Sequence, residues 1–229
     1  PGMAEWVESR SEGPAWATGP VVDRRFGRVD PSVRRRVRRR LGLGSRDVAV
    51  LVVAGAWGVG HVEATAGILA ASGRFVPVAV CGRDDALRRR LETSGTGIAL
   101  GWVDDMAELM AASDALVENA GGLTAMEAFA AGLPVVTFRP IPGHGRENAR
   151  RMAASGLSLL AADGDGLMSA LDSVVGGGPL RGRMVEAGRE LFSADPAQVV
   201  GALARLPRLR GEPAAGTPRP ARELDAIAR

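Results

Sequence analysis

Short apolar runs alternate with segments of helical periodicity along most of this chain. Such nearly continuous runs predict parallel strands that are buried on both faces. The helical segments between them predict crossovers on both sides of the sheet. We therefore expect an α/β fold, a doubly wound parallel sheet of the Rossmann-like type. The predicted strands cover residues 48–54, 75–80, 97–100, 115–117, 134–138 and 157–160.

Helices are predicted between these strands, and only helices after Asp163. A further helix precedes the first strand, because Asp30 and Pro31 form an N-cap and a first-turn proline. We expect residues 1–29 to be a connector, residues 30–206 to fold as one domain with C-terminal helices, and residues 207–229 to form a disordered tail. The predicted helices cover residues 61–71, 84–93, 105–112, 123–131, 146–154, 166–175, 180–191 and 196–206.

Composition excludes several classes of protein. No apolar run approaches the ~20 residues of a transmembrane helix. The single cysteine, Cys81, excludes an intrachain disulfide and a metal site built of cysteines, and it favours a cytoplasmic protein. The basic residues are all arginines, and the absence of lysine excludes a Walker-type phosphate lysine and Schiff-base chemistry. A net charge of +3 with 4% aromatic residues argues against nucleic acid as a partner.

Arginines concentrate in residues 34–40 and 88–90. The first group is predicted to be a solvated helix face. The alternative is attraction to anionic lipid headgroups, worth about 1 kcal/mol for each basic residue near the surface. That alternative predicts a peripheral protein at the inner face of the cell membrane.

The run from Glu118 to Pro134 combines a strand end, a Gly-Gly turn and a helix start. Gly121 and Gly122 allow the backbone to approach a ligand closely. The free N–H groups and positive pole at the helix start, which includes Thr124, suit a phosphate. The simpler interpretation is a turn capped by that threonine.

Glu127 lies one turn after Thr124 on the same helix face. There a carboxylate can accept two hydrogen bonds from a ribose diol, although a solvated glutamate would fit the same pattern. Beside the phosphate site, this residue predicts a site for a nucleoside diphosphate.

A second glycine-rich loop, residues 54–60, follows the first strand directly. In doubly wound sheets a loop at this position often binds a phosphate, so Gly58, Val59 and Gly60 are candidate phosphate-binding residues. The glycine spacing is not the dinucleotide fingerprint. A tight turn without a ligand is the alternative.

Residues 101–106 follow a strand and lead into a helix, which we expect Asp104 to cap. Their exposed backbone can pair with the edge of a base, while Val103 or Met106 packs on the ring. An ordinary capped turn remains the alternative.

Residues 139–148 form a polar loop whose two prolines and two glycines restrict its shape. His144, Arg146, Glu147 and Asn148 supply donors and acceptors suited to sugar hydroxyls. His144 is also a candidate general base, although no nearby residue is evidently arranged to orient it.

Four segments together resemble the C-terminal domain of GT-B glycosyltransferases of the MurG and monogalactosyldiacylglycerol synthase type. They are residues 55–60, 101–106, 119–127 and 140–148. The resemblance implies a domain that binds a UDP-sugar donor. It assigns Gly58, Val59, Gly60, Gly121, Gly122, Leu123 and Thr124 to the diphosphate, Glu127 to the ribose, Trp102, Val103 and Met106 to the uracil, and residues 144–148 to the sugar.

The chain departs from this family in two ways. Members often carry a glutamine or an acidic pair where this chain has His144 and Gly145. They also place the acceptor site and the catalytic base in an N-terminal domain, which must come from a longer chain or from another polypeptide.

The resemblance implies inverting, metal-independent hexosyl transfer from a UDP-sugar, without a cofactor. One alternative is a UDP-N-acetylglucosamine 2-epimerase-like enzyme, for which Glu118 and Glu147 are the available carboxylates. Another is a non-catalytic subunit that recruits a partner to the membrane through the arginines of residues 34–40.

Overall fold

The computed structural model describes residues 18–27, 30–53, 55, 60–193 and 195–205. Six parallel strands in this part of the chain form one sheet in the order β3-β2-β1-β4-β5-β6. The predicted α/β, doubly wound parallel sheet is therefore confirmed. The strands are β1 Ala49–Val53, β2 Val76–Val80, β3 Ile98–Leu100, β4 Ala115–Glu118, β5 Val135–Phe138 and β6 Ser158–Ala161.

The helices follow the strands as predicted, and every element lies within two residues of its expected bounds. The last helix, α9, begins at the boundary of a second compact unit, which starts at Ala197. The helices are α1 Pro31–Arg40, α2 Val62–Ala71, α3 Asp85–Ser94, α4 Met106–Ala112, α5 Leu123–Ala130, α6 His144–Ala154, α7 Gly164–Val175, α8 Pro179–Glu190 and α9 Pro196–Arg205.

The core consists of two layers, one on each face of the sheet. Side chains of α2, α3 and α7, such as Leu69, Leu91 and Leu171, fill the first layer. Side chains of α1, α4, α5 and α6, such as Val37 and Phe129, fill the second. The strands between them are apolar at nearly every position because both of their faces are covered. The predicted crossovers on both faces are confirmed.

A short 3-10 helix, Arg24–Gly27, packs on the second layer through the buried ring of Phe26. The folded core therefore includes this turn, although it precedes the predicted domain start at residue 30. The role of residues 1–29 as a connector stays a prediction, and the predicted tail, residues 207–229, lies outside the described residues.

The arginine-rich helix α1 is partly structural. Arg38 is buried and donates to the carbonyl oxygens of Ala112 and Gly44, at 3.0 and 2.8 Å, and to the Asp114 carboxylate at 3.2 Å. Arg34 also donates to Asp114. The prediction of a solvated helix face is wrong for these two arginines, because the Asp114 carboxylate and several backbone carbonyl groups accept hydrogen bonds from them.

Three other arginines of α1 face the solvent. Arg35, Arg39 and Arg40 are exposed and have no ionic partner in the part of the chain that the structure describes. None of the described helices is long and apolar enough to cross a membrane.

Candidate functional site

The site lies where the strand order reverses. β1 and β4 are neighbours at the centre of the sheet, and the helices that follow them, α2 and α5, pack on opposite faces. The chain therefore leaves β1 and β4 toward opposite faces, and a crevice forms at the carboxyl ends of these strands. In open α/β sheets this crevice is where ligands bind.

The two loops that bound the crevice touch each other. Gly60, after β1, has a φ of +121°, and a Cβ atom added to it would lie 2.0 Å from Nδ2 of Asn119, after β4. Only glycine allows this approach. Gly58 and Val59, predicted to bind the diphosphate with Gly60, lie outside the described residues.

The Gly-Gly turn after β4 is held against α6. Gly121 has a φ of +62°, and an added Cβ would lie 2.7 Å from Cβ of Asn148. The amide of Asn148 donates to the carbonyl oxygens of Ala120 and Gly121, each at 3.4 Å. Glycine is required here by conformation and by packing.

The first turn of α5 leaves three backbone donors available. Its N-cap, Gly122, has no side chain that could accept a hydrogen bond. The N–H groups of Gly122, Leu123 and Thr124 donate to no acceptor in the described part of the chain. Together with the positive pole of the helix they form a place for an anion. Thr124 does not cap the helix, which was the simpler interpretation of the sequence.

The way the helices are capped differs between the centre of the sheet and its flanks. The helices after β2, β3 and β6 begin with an aspartate whose carboxylate accepts a backbone N–H of the first turn: Asp84, Asp105 and Asp163. The helices after β1, β4 and β5 begin at His61, Gly122 and Gly143, without a side-chain cap. The three uncapped starts surround the crevice, where a ligand can supply the missing acceptors.

Glu127 occupies the second turn of α5. Its side chain is partly buried and has no hydrogen bond or ion pair within the described residues. Desolvation raises the pKa of this carboxyl above its ordinary value. A carboxylate that is partly buried and unpaired, beside three unused N–H groups, is a candidate ligand contact.

The loop after β3 presents an exposed aromatic ring. Trp102 is 56% exposed, its indole N–H donates to Asp104 at 2.9 Å, and the guanidinium of Arg83 lies 5.1 Å from its ring centre. The cap of α4 is Asp105, so the prediction that Asp104 caps this helix is wrong. Asp104 instead binds the indole.

Val103 and Met106, which were predicted to hold a base with Trp102, are partly buried against the second core layer. Three inter-strand steps separate the end of β3 from the end of β4, about 14 Å at ~4.8 Å a step. An extended nucleoside diphosphate has to bridge this distance if its base lies at Trp102 and its phosphates at Gly122.

The polar segment after β5 is helical from His144, two residues earlier than predicted. His144, Arg146 and Glu147 are exposed, and Glu147 forms an ion pair with Arg151 at 2.7 Å. Asn148 is turned toward the Gly-Gly turn. The segment therefore supplies exposed polar groups at one end of the crevice. Through Asn148 it also holds the Gly-Gly turn in place.

Sequence reasoning missed the structural roles of three residues in this site, and it considered one of them, Glu118, only as a carboxylate for the epimerase alternative. Glu118 and Thr137 are buried and bonded to each other beneath the Gly-Gly turn, and Arg83 stacks on Trp102. A charged residue at the end of an otherwise apolar strand was the available signal for Glu118.

A cleft of about 460 Å³ adjoins the crevice between the starts of α2 and α3. Gly60 and His61 line it, as does the ion pair of Glu63 with Arg90, at 2.9 Å. The described residues contain no cluster of three or more histidine, cysteine or acidic side chains suited to a metal ion.

Comparison with known proteins identifies the family. Residues 61–176 match the family model described as glycosyl transferases group 1. This chain belongs to that family. The matched part begins at the start of α2 and ends after α7, so it contains the Gly-Gly turn and α5 but neither β1 nor Gly60.

Similar curated proteins include processive diacylglycerol beta-glucosyltransferases. That of Bacillus pumilus (strain SAFR-032) is 32% identical over 131 residues, which are 55% of this chain and 34% of the relative. That of Bacillus subtilis (strain 168) is 27% identical over 168 residues, 71% of this chain and 44% of the relative. The chain thus spans less than half the length of these relatives.

Solved structures share the fold. WaaG, a glycosyltransferase involved in lipopolysaccharide biosynthesis, superposes with a TM-score of 0.58 at 24% identity, over 82% of this chain and 54% of its own. Anabaena Alr3699/HepE, in complex with UDP and glucose, gives 0.58 at 20% identity, over 81% of this chain and 55% of its own. The predicted resemblance to the C-terminal domain of GT-B glycosyltransferases is confirmed.

Proposed function

We propose that this chain is the donor-binding half of a glycosyltransferase that transfers a hexosyl group from a UDP-sugar with inversion. The observation that carries the proposal is the pairing of three unused N–H groups, at Gly122, Leu123 and Thr124, with the unpaired carboxylate of Glu127. The first set suits a diphosphate, and the second suits the ribose next to it.

The relatives support the choice of donor. The similar Bacillus proteins are named glucosyltransferases, and the Anabaena protein was solved with UDP-glucose as well as with UDP. By analogy, the donor of this chain is a UDP-hexose that lies across the carboxyl ends of the central strands.

The proposed reaction is a direct displacement at the anomeric carbon. The acceptor hydroxyl forms a bond to that carbon while the bond to the β-phosphate oxygen breaks, and UDP leaves with the electron pair. Negative charge develops on the diphosphate, where the N–H groups of α5 and the loop that ends at Gly60 stabilise it electrostatically. The proposal therefore requires neither a metal nor a cofactor at the diphosphate.

The other parts of the donor are assigned to the neighbouring loops. Uracil is placed at Trp102, with Val103 and Met106 beneath it, and the hexose at the start of α6, near His144, Arg146 and Glu147. The base that deprotonates the acceptor belongs to an acceptor domain in the same or a separate chain. This chain alone is expected to bind UDP without transferring sugar.

The epimerase alternative needs further carboxylates that are free to reach the sugar. Glu118 is bonded to Thr137 and to the Gly-Gly turn, and Glu147 is paired with Arg151. Neither is free, which favours glycosyl transfer over epimerisation.

The proposal includes a cytoplasmic location, with peripheral contact to an anionic membrane through Arg35, Arg39 and Arg40. These arginines are exposed and unpaired among the described residues. A membrane-recruiting subunit without a donor site is less favoured, because Arg34 and Arg38 are used within the fold.

Calorimetry with UDP tests the proposal. The chain is expected to bind UDP, and Glu127→Ala is expected to weaken UDP about tenfold or more, through lost hydrogen bonds to a charged group, while sparing inorganic pyrophosphate. Glu186→Ala, an exposed glutamate on α8, is the control and should bind both ligands like the wild type. Equal loss of UDP and pyrophosphate in Glu127→Ala would contradict the ribose assignment.

A further inference from the structure

Glu118 is a buried carboxylate without a role in the function proposed above. It ends β4 and is 5% exposed. No arginine or histidine in the described part of the chain forms an ion pair with it. An unpaired buried charge is costly, so hydrogen bonds have to hold it.

Two elements clamp this carboxylate. Oε2 accepts the backbone N–H groups of Ala120 and Gly121, at 2.7 and 2.5 Å. Oε1 accepts the hydroxyl of Thr137 at 2.6 Å. Thr137 is fully buried and lies opposite Glu118 in the pairing of β4 with β5. The side chain of Glu118 thus ties the Gly-Gly turn to the neighbouring strand.

The other inward-facing groups of the turn are bonded as well. Asn148 donates to the carbonyl oxygens of Ala120 and Gly121, and the N–H of Ile141 donates to the carbonyl of Asn119 at 2.8 Å. The next three N–H groups, from Gly122 onward, are left for a ligand. Their direction depends on the clamp, because Glu118 fixes the two peptide groups that precede them.

We propose that Glu118 is the positioning residue of the diphosphate site, and that its negative charge limits how tightly the leaving diphosphate is held. The carboxylate fixes the turn that presents the N–H groups of Gly122 to Thr124. It also places a fixed anion below the position of a bound anion, and the two repel each other. One residue would thus build the site and favour release of the product. This inference rests on the proposed function.

Substitution can separate geometry from charge. In Glu118→Gln the amide oxygen can still accept the N–H groups of the turn, and the amide nitrogen can donate to the hydroxyl of Thr137, which then accepts instead of donating. This variant loses the charge and keeps the clamp. Glu118→Ala loses both.

The test compares the binding of UDP, pyrophosphate and uridine by calorimetry. Glu118→Gln is expected to bind UDP and pyrophosphate about threefold or more tightly at low salt, with a smaller gain at high salt, because the repulsion is screened. Glu118→Ala is expected to bind both about tenfold more weakly, and uridine should be unaffected in both variants. Asp163→Asn, which removes a carboxylate from a helix cap two strands away and keeps the cap, is the matched control.

A second measurement needs no ligand. Amide hydrogen exchange at Ala120 and Gly121 is expected to be slow in the wild type and in Glu118→Gln, and clearly faster in Glu118→Ala. Thr137→Val replaces the hydroxyl that donates to Glu118 by a methyl group of similar size. If Glu118→Ala does not fold, this variant should show faster exchange and weaker pyrophosphate binding.

Two results would overturn the inference. One is an unchanged exchange rate and an unchanged pyrophosphate affinity in Glu118→Ala or, if that variant does not fold, in Thr137→Val. The other is a Glu118→Gln variant that binds pyrophosphate no more tightly than the wild type. Failure of the wild type to bind UDP would refute the donor site instead, and the exchange experiment would still report on the clamp.

Discussion

At the scale of single residues, the unusual feature of this protein is polar groups that lack a partner in the described part of the chain. The N–H groups of Gly122, Leu123 and Thr124 and the carboxylate of Glu127 all lie on the N-cap and the first two turns of α5. Gly122 and Leu123 are exposed, so water can accept their N–H groups, whereas Glu127 is partly buried. The concentration of these groups at one helix start supports the ligand site that we propose.

Glu127→Gln should change how the stability of the protein depends on pH. Burial raises the pKa of Glu127 above 4.5, so the native state keeps this proton to a higher pH than the unfolded chain does. The free energy of unfolding therefore falls as the pH rises from about 4.5 through the raised pKa. The glutamine variant lacks this loss and should gain stability relative to the wild type as the pH rises, as measured by urea unfolding at about pH 4 and about pH 7.

Glu186→Gln serves as the control for this prediction, because that glutamate is exposed on α8. It should leave the difference in stability between the two pH values unchanged. A Glu127→Gln variant with the same pH dependence as the wild type would show that this carboxyl ionises normally.

Ser158→Ala should stabilise the protein. The hydroxyl of Ser158, at the start of β6, is buried and has no hydrogen-bond partner among the described residues. Removing an unsatisfied hydroxyl is expected to raise the free energy of unfolding by about 1 kcal/mol. Urea or thermal denaturation measures the change.

Ser113→Ala is the matched comparison. Ser113 is equally buried, but its hydroxyl donates to the carbonyl of Leu109 at 2.9 Å. This substitution should be neutral or destabilising. Equal effects of the two substitutions would mean that the hydroxyl of Ser158 is satisfied in solution.

At the scale of secondary-structure elements, the helix starts divide into two groups. Aspartate caps complete the helices that follow β2, β3 and β6, while those that follow β1, β4 and β5 stay open toward the crevice. The closed helices belong to the framework. The open helices are where binding of an anion can replace a cap.

Helix α1 shows how a charged element can belong to the core. Arg38→Ala is expected to lower the free energy of unfolding by about 3 kcal/mol, because it removes a buried cation that binds Asp114 and three carbonyl oxygens. Denaturant unfolding measures the loss. Arg39→Ala, on the exposed side of the same helix, should change it by less than about 0.5 kcal/mol. Similar effects of the two variants would show that Arg38 is solvated.

At the scale of the whole molecule, the crevice and the exposed arginines of α1 lie toward opposite ends of the strands. The crevice is at the carboxyl ends of the strands, whereas α1 ends in Arg39 and Arg40 and leads into the amino end of β1. Substitutions of the exposed arginines of α1 should therefore change membrane binding without changing donor binding.

Changing Arg35, Arg39 and Arg40 together to glutamine should abolish salt-sensitive binding to anionic liposomes, because each basic residue near such a surface contributes about 1 kcal/mol. The affinity for UDP should stay unchanged. Liposome sedimentation and calorimetry measure the two properties. The membrane proposal fails if the wild type does not sediment with vesicles rich in phosphatidylserine, or if the triple variant still does.

The fold was predictable because it depends on patterns that are local in the sequence. Residues 48–53 and 115–117 are short, apolar and flanked by turns, and the helix after each has its own periodicity. The approach of Gly60 to Asn119, directly before the Gly-Gly turn, followed from the same pattern, since loops at the switch point of such a sheet lie close together.

Roles that depend on partners distant in the sequence were not predictable. Arg34 and Arg38 look like any exposed basic residue until Asp114, at the start of β4, lies beside them. The cap of α4 was placed one residue too early, because Asp104 and Asp105 are equivalent in a linear pattern. Only the folded chain places the indole of Trp102 where Asp104 can bind it.

By itself, the sequence determined the succession of strands and helices along the chain, the glycine turns and the position of Glu127 after Thr124. Periodicity and turn chemistry act over a few residues, so they can be recognised in the sequence. The tertiary structure alone decided which polar groups are hydrogen-bonded within the protein and which remain available to a ligand. Glu118 and Asn148 are bonded beneath the Gly-Gly turn, while Glu127 remains unpaired among the described residues. Hydrogen-bond partners are set by distance in space, and only packing of the sheet and helices fixes that distance.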